Sequence, residues 1–153
     1  MGNMDTVFMQ AALEEARRAE EQGEVPVGAV VVSGSAIIGR GGNRTITLND
    51  PTAHAEIVAL RQAALAKGNY RLEDCTLYVT VEPCAMCAGA AVQARLARLV
   101  YGCDDPKAGA VYSLFRLADD VRLNHRMEVT RGVLQEECAA VIRAFFQKKR
   151  ATV

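Results

Sequence analysis

Two short motifs that are rich in potential metal ligands constrain this chain more than any other feature. His54 and Glu56 form a His-x-Glu motif, and Cys84 and Cys87 form a Cys-x-x-Cys motif directly after Pro83. A complete strand is predicted between the two motifs, so they belong to separate elements that the fold must bring together to form one site. Imidazole and thiolate are preferred zinc ligands, and three of them leave one of four positions open for water. The motifs therefore predict a catalytic zinc site held by His54, Cys84 and Cys87.

Glu56 follows the predicted ligand His54 by two residues. Side chains two positions apart on a helix point roughly 200° away from each other. Near a helix start, however, both side chains can border one pocket. A carboxylate beside an activated water takes its proton and returns it to a substrate nitrogen. Glu56 is therefore the candidate proton carrier.

Each motif taken alone has a less specific explanation. A single His-x-Glu is common on surface helices, and a single Cys-x-x-Cys also occurs as a redox pair. A closed structural zinc site needs a fourth ligand, for which His125, Cys75 and Cys103 are candidates; the favoured interpretation of Cys75, Cys103 and Cys138 is that they are small buried apolar residues. His-x-Glu followed by Pro-Cys-x-x-Cys is together the signature of zinc nucleobase deaminases.

The composition predicts one globular α/β domain over residues 1–153. Half of the 153 residues are hydrophobic, 24% are charged and the net charge is zero, which is typical of a folded domain and excludes extended disorder. Strands alternate with helices along the chain, which favours an α/β layer fold. No stretch approaches the roughly 20 apolar residues of a membrane span. Five cysteines without a secretory signal indicate reduced thiols, so we expect a cytoplasmic protein with no membrane partner.

Local signals place the motifs on this framework. A hairpin over residues 27–40 is followed by a predicted loop of Gly41, Gly42 and Asn43. Two predicted helices have Asp5 and Asp50 as their N-caps. Two further helices are predicted to begin at about Cys84 and at about residue 134. The last of them runs to about residue 150.

The C-terminal end is basic. After the last acidic residue, Glu137, come Arg143, Lys148, Lys149 and Arg150. Such an end can contact a phosphate backbone. It also complements the dipole of the predicted final helix, and on charge alone this second explanation is favoured.

Over nearly its whole length the chain resembles the bacterial tRNA-specific adenosine deaminases, which belong to the cytidine/deoxycytidylate deaminase superfamily. The matching positions are residues 24–29, 43–44, 50–56, 77–80, 82–90, 105, 107, 109–110, 113–114, 124–126 and 145–146. The resemblance implies a three-layer α/β/α cytidine-deaminase-like fold, in which a five-stranded mixed sheet has helices on both faces. It also implies an enzyme that converts the wobble adenosine of a tRNA anticodon to inosine and ammonia. In such an enzyme each subunit binds one zinc ion, and the hydroxide bound to zinc attacks C6 of adenine.

The resemblance assigns roles to individual residues. His54, Cys84 and Cys87 hold the zinc ion, and Glu56 moves the proton. The substrate-binding residues that it implies are Asn43 and the Ala55 backbone N–H toward the purine, Val27 with His54 as walls of the base pocket, and Asp105 toward the nucleotide sugar or backbone. The candidate RNA contacts are Lys107, Arg126, Phe145 or its neighbour Phe146, Lys148, Lys149 and Arg150.

Ordinary structural roles compete with some of these assignments. Asn43 and Asp105 are also typical turn residues, and Val27 is a core residue by default. The chain departs from the family at Gly42, where an aromatic residue is frequent, and at Asp104, where a basic or neutral residue is common. Both positions are expected near the RNA-facing rim, so they bear on RNA binding and leave the chemistry unchanged.

The resemblance implies a homodimer whose surface completes the RNA site. It implies a tRNA anticodon stem-loop as substrate, in particular that of an arginine tRNA with the anticodon ACG. One alternative is a deaminase of guanine or another free nucleobase or nucleoside, disfavoured because Ala85 stands where guanine deaminases commonly have proline. Another is a zinc-stabilised RNA-binding module without turnover, disfavoured because such a module has no need of Glu56.

Overall fold

Five strands form a single sheet in the order β2-β1-β3-β4-β5 in a computed structural model that describes residues 2–151. The elements in chain order are α1 (Gly2–Glu21), β1 (Gly28–Ser33), β2 (Ala36–Gly42), α2 (Thr45–Leu48), α3 (Ala55–Lys67), β3 (Cys75–Val81), α4 (Ala85–Gln93), β4 (Arg98–Cys103), β5 (Glu128–Arg131) and α5 (Gln135–Ala151). Strand β1 is antiparallel to both β2 and β3, whereas β3, β4 and β5 are parallel. The predicted five-stranded mixed sheet is therefore confirmed.

Side-chain alternation along the strands produces a core on each face of the sheet. In β1, Val31 packs in the cluster that includes residues of α3 and α4, while its neighbours Val30 and Val32 pack in the cluster with α1 and α5. In β3, Leu77 and Tyr78 separate in the same way. Successive strand residues point to opposite faces, so strands covered on both faces are apolar throughout. The sheet thus has helices on both sides, as predicted.

The strand directions bring distant segments to one edge of the sheet. Strands β3 and β4 are parallel, so Glu82 and Asp104, which follow them, lie at the same edge. Strand β1 is antiparallel to β3, so its beginning at Gly28 and the end of β2 at Gly42 reach that edge as well. Helix α4 begins at this edge because it follows directly after β3. Helix α3 also begins there, because its first residue, Ala55, lies against Gly41 of β2. This edge collects the residues singled out by the motifs.

Glycines allow helices to approach the first two strands closely. A Cβ at Gly28 would lie 2.0 Å from the Ala12 carbonyl oxygen of α1, and a Cβ at Gly41 would lie 2.8 Å from the Ala55 carbonyl oxygen of α3. The prediction of a loop at Gly41 and Gly42 is wrong, because both belong to β2. Glycine in a strand here serves close backbone approach rather than a turn.

The start of α3 also differs from the prediction. The helix begins at Ala55 with His54 as its N-cap, and Asp50 is not a cap. Asp50 instead accepts hydrogen bonds from the Thr52 N–H (2.9 Å) and hydroxyl (2.7 Å), which form a turn before the helix. The helix ends at Gly68 as predicted, where φ is +68°. The later start places His54 at the helix N-terminus itself.

Asp5 is a buried ion-pair residue rather than a cap. It lies inside α1, which begins earlier than predicted. Its carboxylate accepts a bidentate pair of hydrogen bonds from Arg98, each 2.7 Å long, and one from the Tyr78 hydroxyl. The Arg98 guanidinium therefore holds the pKa of Asp5 below its usual value, although burial opposes this. The ion pair ties α1 to the start of β4.

Among the described residues, no helix combines the length and the apolar character that crossing a bilayer requires.

We expect Gly28→Ala to destabilise the fold by about 2–3 kcal/mol, because the added methyl group must push α1 away from β1. Urea unfolding followed by circular dichroism measures this change. Gly89→Ala is the matched control, since a Cβ at Gly89 in α4 meets nothing within 4 Å. Replacing a helical glycine by alanine stabilises by about 0.5–1 kcal/mol. Equal unfolding free energies for the two variants would contradict the close approach of α1.

Candidate active site

A small cavity opens at the sheet edge where α3 and α4 begin. Its volume is about 190 Å³. The residues that line it are Val27, Asn43, His54, Glu56, Val81, Glu82, Cys84, Asp105 and Ala108. The fold therefore brings together most of the residues singled out for zinc, proton transfer and base binding. Val81, Glu82 and Ala108 were not singled out as site residues.

His54, Cys84 and Cys87 form a cluster with the geometry of a metal site. The His54 Nδ1 atom lies 3.6 Å from the Cys84 sulfur and 3.5 Å from the Cys87 sulfur. All three ligand atoms lie within 4.8 Å of one another. Zinc bonds of ordinary length at tetrahedral angles place nitrogen and sulfur about 3.6 Å apart. This donor set therefore fits a zinc ion.

A closed structural zinc site would need a fourth ligand, and residues 2–151 place none at this cluster. The metal-ligand cluster there holds only His54, Cys84 and Cys87. The His125 Nε2 atom lies 2.6 Å from the Leu96 carbonyl oxygen, and Cys75 and Cys103 are buried free cysteines. The three-ligand set leaves one tetrahedral position for water, as in catalytic zinc sites.

The local backbone favours a thiolate at Cys84. Cys84 is the N-cap of α4, and its backbone is extended. A hydrogen bond from Cys87, supported by backbone N–H groups at the helix start, lowers the pKa of the Cys84 thiol to about 5. The same hydrogen bond and burial raise the pKa of Cys87. In the metal-free pair, Cys84 therefore ionises first.

Glu56 faces this cluster from the first turn of α3 and is almost fully buried, with 4% of its surface exposed. Burial, reinforced by the negative charge of Cys84, raises the pKa of Glu56 to about 7. A carboxyl group with a pKa near neutrality can both accept and release a proton at physiological pH. His54 and Glu56 line one cavity, although their spacing within a helix would turn them apart, because both lie at the helix start.

Asn43 connects β2 to the start of α3. Its Oδ1 atom accepts a hydrogen bond of 2.9 Å from the Ala55 N–H, which satisfies one of the free N–H groups at a helix start. The Ala55 N–H, which is predicted to contact the purine, donates to Asn43 here, and its contact with the purine stays a prediction. The amide nitrogen of Asn43 remains to donate to a ligand.

Asp105 belongs to the segment 104–113, here called the rim loop. Its Oδ1 atom accepts hydrogen bonds from the N–H groups of Lys107 (3.1 Å) and Ala108 (3.2 Å), so it has the turn role that competed with substrate binding. Asp105 also lines the cavity. The two roles are compatible because a carboxylate has a second oxygen.

Glu82 fixes the rim loop from below. Its buried carboxylate accepts hydrogen bonds from the N–H groups of Asp105, Val111, Tyr112 and Ser113 and from the Ser113 hydroxyl. Burial raises the pKa of Glu82, but these donors outweigh it and hold the pKa below its usual value. A Cβ at Gly109 would lie 2.2 Å from the Glu82 side chain, so the loop closes over the carboxylate only with glycine there.

Glu24 plays a similar part for helix α2. It is fully buried and accepts hydrogen bonds from the Ile46 and Thr47 N–H groups and the Thr47 hydroxyl. These bonds anchor α2, which follows Asn43. Glu24 and Glu82 each lie within two residues of a proline in an apolar stretch, and an acidic residue in such a setting is the signal that could have identified them.

The candidate RNA contacts lie outside the cavity. Phe145 is 8% exposed and packs edge-on against Phe146, which is 43% exposed, so the aromatic face available to a base belongs to Phe146 and not to Phe145. Lys148 pairs with Glu20 of α1 at 3.7 Å, and the Lys149 ammonium lies 5.8 Å from the Phe145 ring centroid. Lys107, Arg126 and Arg150 are exposed.

The chain is similar to deaminases over most of its length. A family model described as MafB19-like deaminase matches residues 3–150. The tRNA-specific adenosine deaminase of Haemophilus influenzae is 54% identical, covering 95% of this chain and 85% of that protein. A solved structure from work on A-to-I editing by tRNA:A34 deaminases at the wobble position of transfer RNA has a TM-score of 0.86 and 50% identity, covering 89% of this chain and 99% of that chain. A guanine deaminase of Bacillus subtilis has a TM-score of 0.62 and 43% identity, covering 64% of this chain and 63% of that chain.

A match to a deaminase model over almost the whole chain, together with more than 50% identity to the Haemophilus influenzae protein, shows the family. This chain belongs to the family of tRNA-specific adenosine deaminases.

Proposed function

We propose that residues 1–153 form one zinc-dependent deaminase domain that converts the wobble adenosine of a tRNA anticodon to inosine and ammonia. One observation carries the proposal: the cluster of three metal-ligating side chains borders the same cavity as Glu56, a carboxyl group whose pKa burial raises to about 7. The family relationship supports tRNA as the substrate, and we place the reaction in the cytoplasm, where tRNA is used.

The proposed chemistry divides between one zinc ion per subunit and Glu56. When bound by His54, Cys84 and Cys87, zinc supplies a water that ionises near neutral pH. As a carboxylate, Glu56 would accept a proton from the attacking water, whose oxygen would form the new bond to C6 of adenine. Through Glu56, one proton would reach the ring nitrogen N1, and a second proton, from the new hydroxyl group, would reach the amino nitrogen. The C6–N bond to the amino group would then break, ammonia would leave and C6 would become the carbonyl carbon of inosine.

Three other residues are proposed to hold the nucleotide. The amide nitrogen of Asn43 donates to an acceptor of the purine, because its oxygen is already bound to Ala55. Val27 forms an apolar wall of the cavity. Asp105, at the rim, contacts the ribose through the carboxylate oxygen that the turn does not use.

The surrounding surface is proposed to bind the anticodon stem-loop. Lys107 and Arg126 are exposed cations for phosphate groups, and the basic end of α5 adds Lys148, Lys149 and Arg150. RNA loops are read through splayed bases that stack on aromatic side chains. Phe146 offers such a surface on α5.

A homodimer is part of the proposal. An apolar groove lies between α3 and α4, lined by residues that include Ile57, Leu60, Ala64, Tyr70 and Ala90. Tyr70 is 68% exposed, and a second copy of the chain would cover this groove beside the two ligand-bearing helices. Light scattering distinguishes such a dimer from a monomer of 16.5 kDa.

The similarity to a guanine deaminase makes a free nucleobase the second candidate substrate. Such an enzyme would use the same zinc ligands and Glu56 but none of the RNA contacts. A comparison of substrates separates the two functions.

We expect the zinc-loaded protein to form inosine at the first anticodon position of an arginine tRNA with the anticodon ACG, and to leave free adenosine and guanine unchanged. Glu56→Gln should lower this turnover by about 10²–10⁴-fold, because no group then moves the proton. Bound zinc and RNA affinity should be retained. Nucleoside analysis by mass spectrometry and filter binding measure these quantities.

The matched control is Glu73→Gln, since Glu73 is exposed and pairs with Arg71 at the surface. Its turnover should equal that of the unsubstituted protein. Xanthine from guanine with unchanged tRNA would replace the proposal by the second candidate. Full activity of Glu56→Gln would refute the assigned role of Glu56.

We expect one zinc ion per chain, measured by atomic emission on the purified protein. Cys84→Ala should reduce it to below about 0.1, because two remaining ligands hold zinc weakly. Cys75→Ala should keep the full zinc content, because Cys75 is a buried thiol whose pKa burial raises to about 11. Equal zinc loss in both variants would mean that general misfolding, rather than a lost ligand, releases the metal.

We expect kcat/KM to fall at acid pH as Glu56 takes up a proton. Burial raises its pKa from 4.5 to about 7, and the positive charge of a bound zinc ion lowers it again. The acid limb should therefore lie between pH 4.5 and about 7. Only the carboxylate accepts the water proton, so kcat/KM falls about tenfold per pH unit below that pKa. A profile that stays flat down to pH 4.5 is the result that contradicts a raised pKa.

A further inference from the structure

Four side chains at the ends of β4 and β5 form a connected cluster, here called the rim clamp: Tyr101, Asp104, Tyr112 and Arg131. The two oxygens of Asp104 accept hydrogen bonds from the Tyr101 hydroxyl (2.8 Å) and from the Arg131 Nη2 atom (2.9 Å). The Arg131 Nε atom donates to the Tyr101 hydroxyl at 3.1 Å. The Arg131 guanidinium carbon lies 3.5 Å from the centroid of the Tyr112 ring.

The clamp is fixed to the sheet on one side. Tyr101 is fully buried in β4 and is the register partner of Arg131 in β5. The N–H of Gly132, the next residue, donates to the Tyr101 carbonyl oxygen at 3.0 Å. Arg131 therefore projects from a rigid strand end, and its planar guanidinium can hydrogen-bond at its edge and stack on its face at once.

The clamp is fixed to the rim loop on the other side. Asp104 and Tyr112 are residues of that loop, and the Tyr112 N–H donates to Glu82 at 2.8 Å. Asp104 directly precedes Asp105, whose N–H also donates to Glu82. Arg131 thus contacts the loop near both of its ends, while Glu82 holds the same two ends from the interior. Asp105 and Ala108, the cavity-lining residues of the loop, lie between these attachments.

The clamp also accommodates the negative charge of Asp104. A free carboxylate next to the RNA-facing rim would repel phosphate groups. Both carboxylate oxygens of Asp104 instead accept hydrogen bonds, one from Tyr101 and one from Arg131. The Arg131 guanidinium also compensates the negative charge of Asp104. A second cation, Arg116, lies 4.8 Å from the Tyr112 ring centroid, so the outer side of the clamp is cationic.

We propose that Arg131 is a positioning residue that, through Asp104 and Tyr112, holds the rim loop where Asp105 meets the nucleotide, and so sets the affinity for the RNA substrate. This role rests on the proposed function. The side-chain contacts of Arg131 are with Tyr101, Asp104 and Tyr112, which are not members of the metal-ligand cluster. Its loss therefore acts on substrate binding and leaves the proton transfer by Glu56 intact.

The test compares Arg131→Ala with the unsubstituted zinc-loaded protein on the anticodon stem-loop of an arginine tRNA. KM should rise about tenfold, the size of effect expected from a cation–π contact of this kind with its hydrogen bonds. The kcat should stay within about twofold, since the chemical groups are untouched. Arg131→Lys keeps the charge next to Asp104 but loses the planar face, so its KM should be intermediate. Adding Tyr112→Ala to Arg131→Ala should raise KM little further, because the two side chains act as one contact.

Arg122→Ala is the matched control. Arg122 also forms a hydrogen-bonded ion pair with an aspartate, but that partner, Asp120, lies outside the rim loop. Its KM should not change. Hydrogen exchange gives a second readout: the amides of Asp105, Tyr112 and Ser113, which are bound to Glu82, should exchange faster in Arg131→Ala and not in Arg122→Ala.

The outcomes separate this role from the proposed function. Turnover of the stem-loop by the unsubstituted protein with an unchanged KM in Arg131→Ala overturns the positioning role alone, even if the loop amides exchange faster or the unfolding temperature falls. A lower kcat at unchanged KM also overturns it. No turnover of RNA by the unsubstituted protein removes the proposed function and this role with it.

Discussion

The hydrogen bonds to the Glu82 carboxylate connect the two halves of the site. Glu82 stands between β3 and the Pro83-Cys84 start of α4, so it is part of the segment that carries the metal ligands. Its oxygens bind backbone N–H groups of the rim loop, which carries Asp105. A buried carboxylate is costly unless its oxygens are bound, and a loop of turns without regular structure is costly to order unless its N–H groups are satisfied. Each therefore stabilises the other, and the metal cluster and the rim take up fixed relative positions.

Two buried glutamates on one cavity differ because their surroundings differ. Glu82 is surrounded by hydrogen-bond donors, and its pKa is held low. Glu56 is buried beside Cys84, and burial together with the negative charge of Cys84 raises its pKa to about 7. The first is a permanent negative charge that organises backbone, while the second can exchange a proton during a reaction. Environments that separate the pKa values of like groups in this way are how proteins assign different tasks to identical side chains.

The sequence predicted the site better than the local structure around it. The clustering of His54, Cys84 and Cys87 was predicted from the two motifs, because an imidazole, a carboxylate and two thiolates in that order along the chain have few other uses. The helix start at Asp50 was wrong because an aspartate before proline stabilises a turn as well as it caps a helix. Gly41 and Gly42 were assigned to a loop because their function, close contact with α3 and α1, depends on helices distant in sequence. The choice between Phe145 and Phe146 depends on which side of α5 faces the sheet, and the partner of Asp104 is Arg131, 27 residues away at the end of another strand. Tertiary contacts of this kind leave no local pattern.

The His54 and Cys84 caps also relate the metal site to the way the chain folds. The two cysteines are neighbours on one turn of α4, so they can hold a metal ion before the rest of the chain is ordered. His54 joins them only when α3 lies against α4, and that packing follows the long-range pairing of β1 with β3 and of β3 with β4. The complete ligand set therefore exists only in the assembled sheet. A metal ion that binds all three ligands stabilises the folded state by the difference between its binding free energies to the folded and the unfolded chain, so the supply of that metal and the yield of folded protein would be one coupled equilibrium.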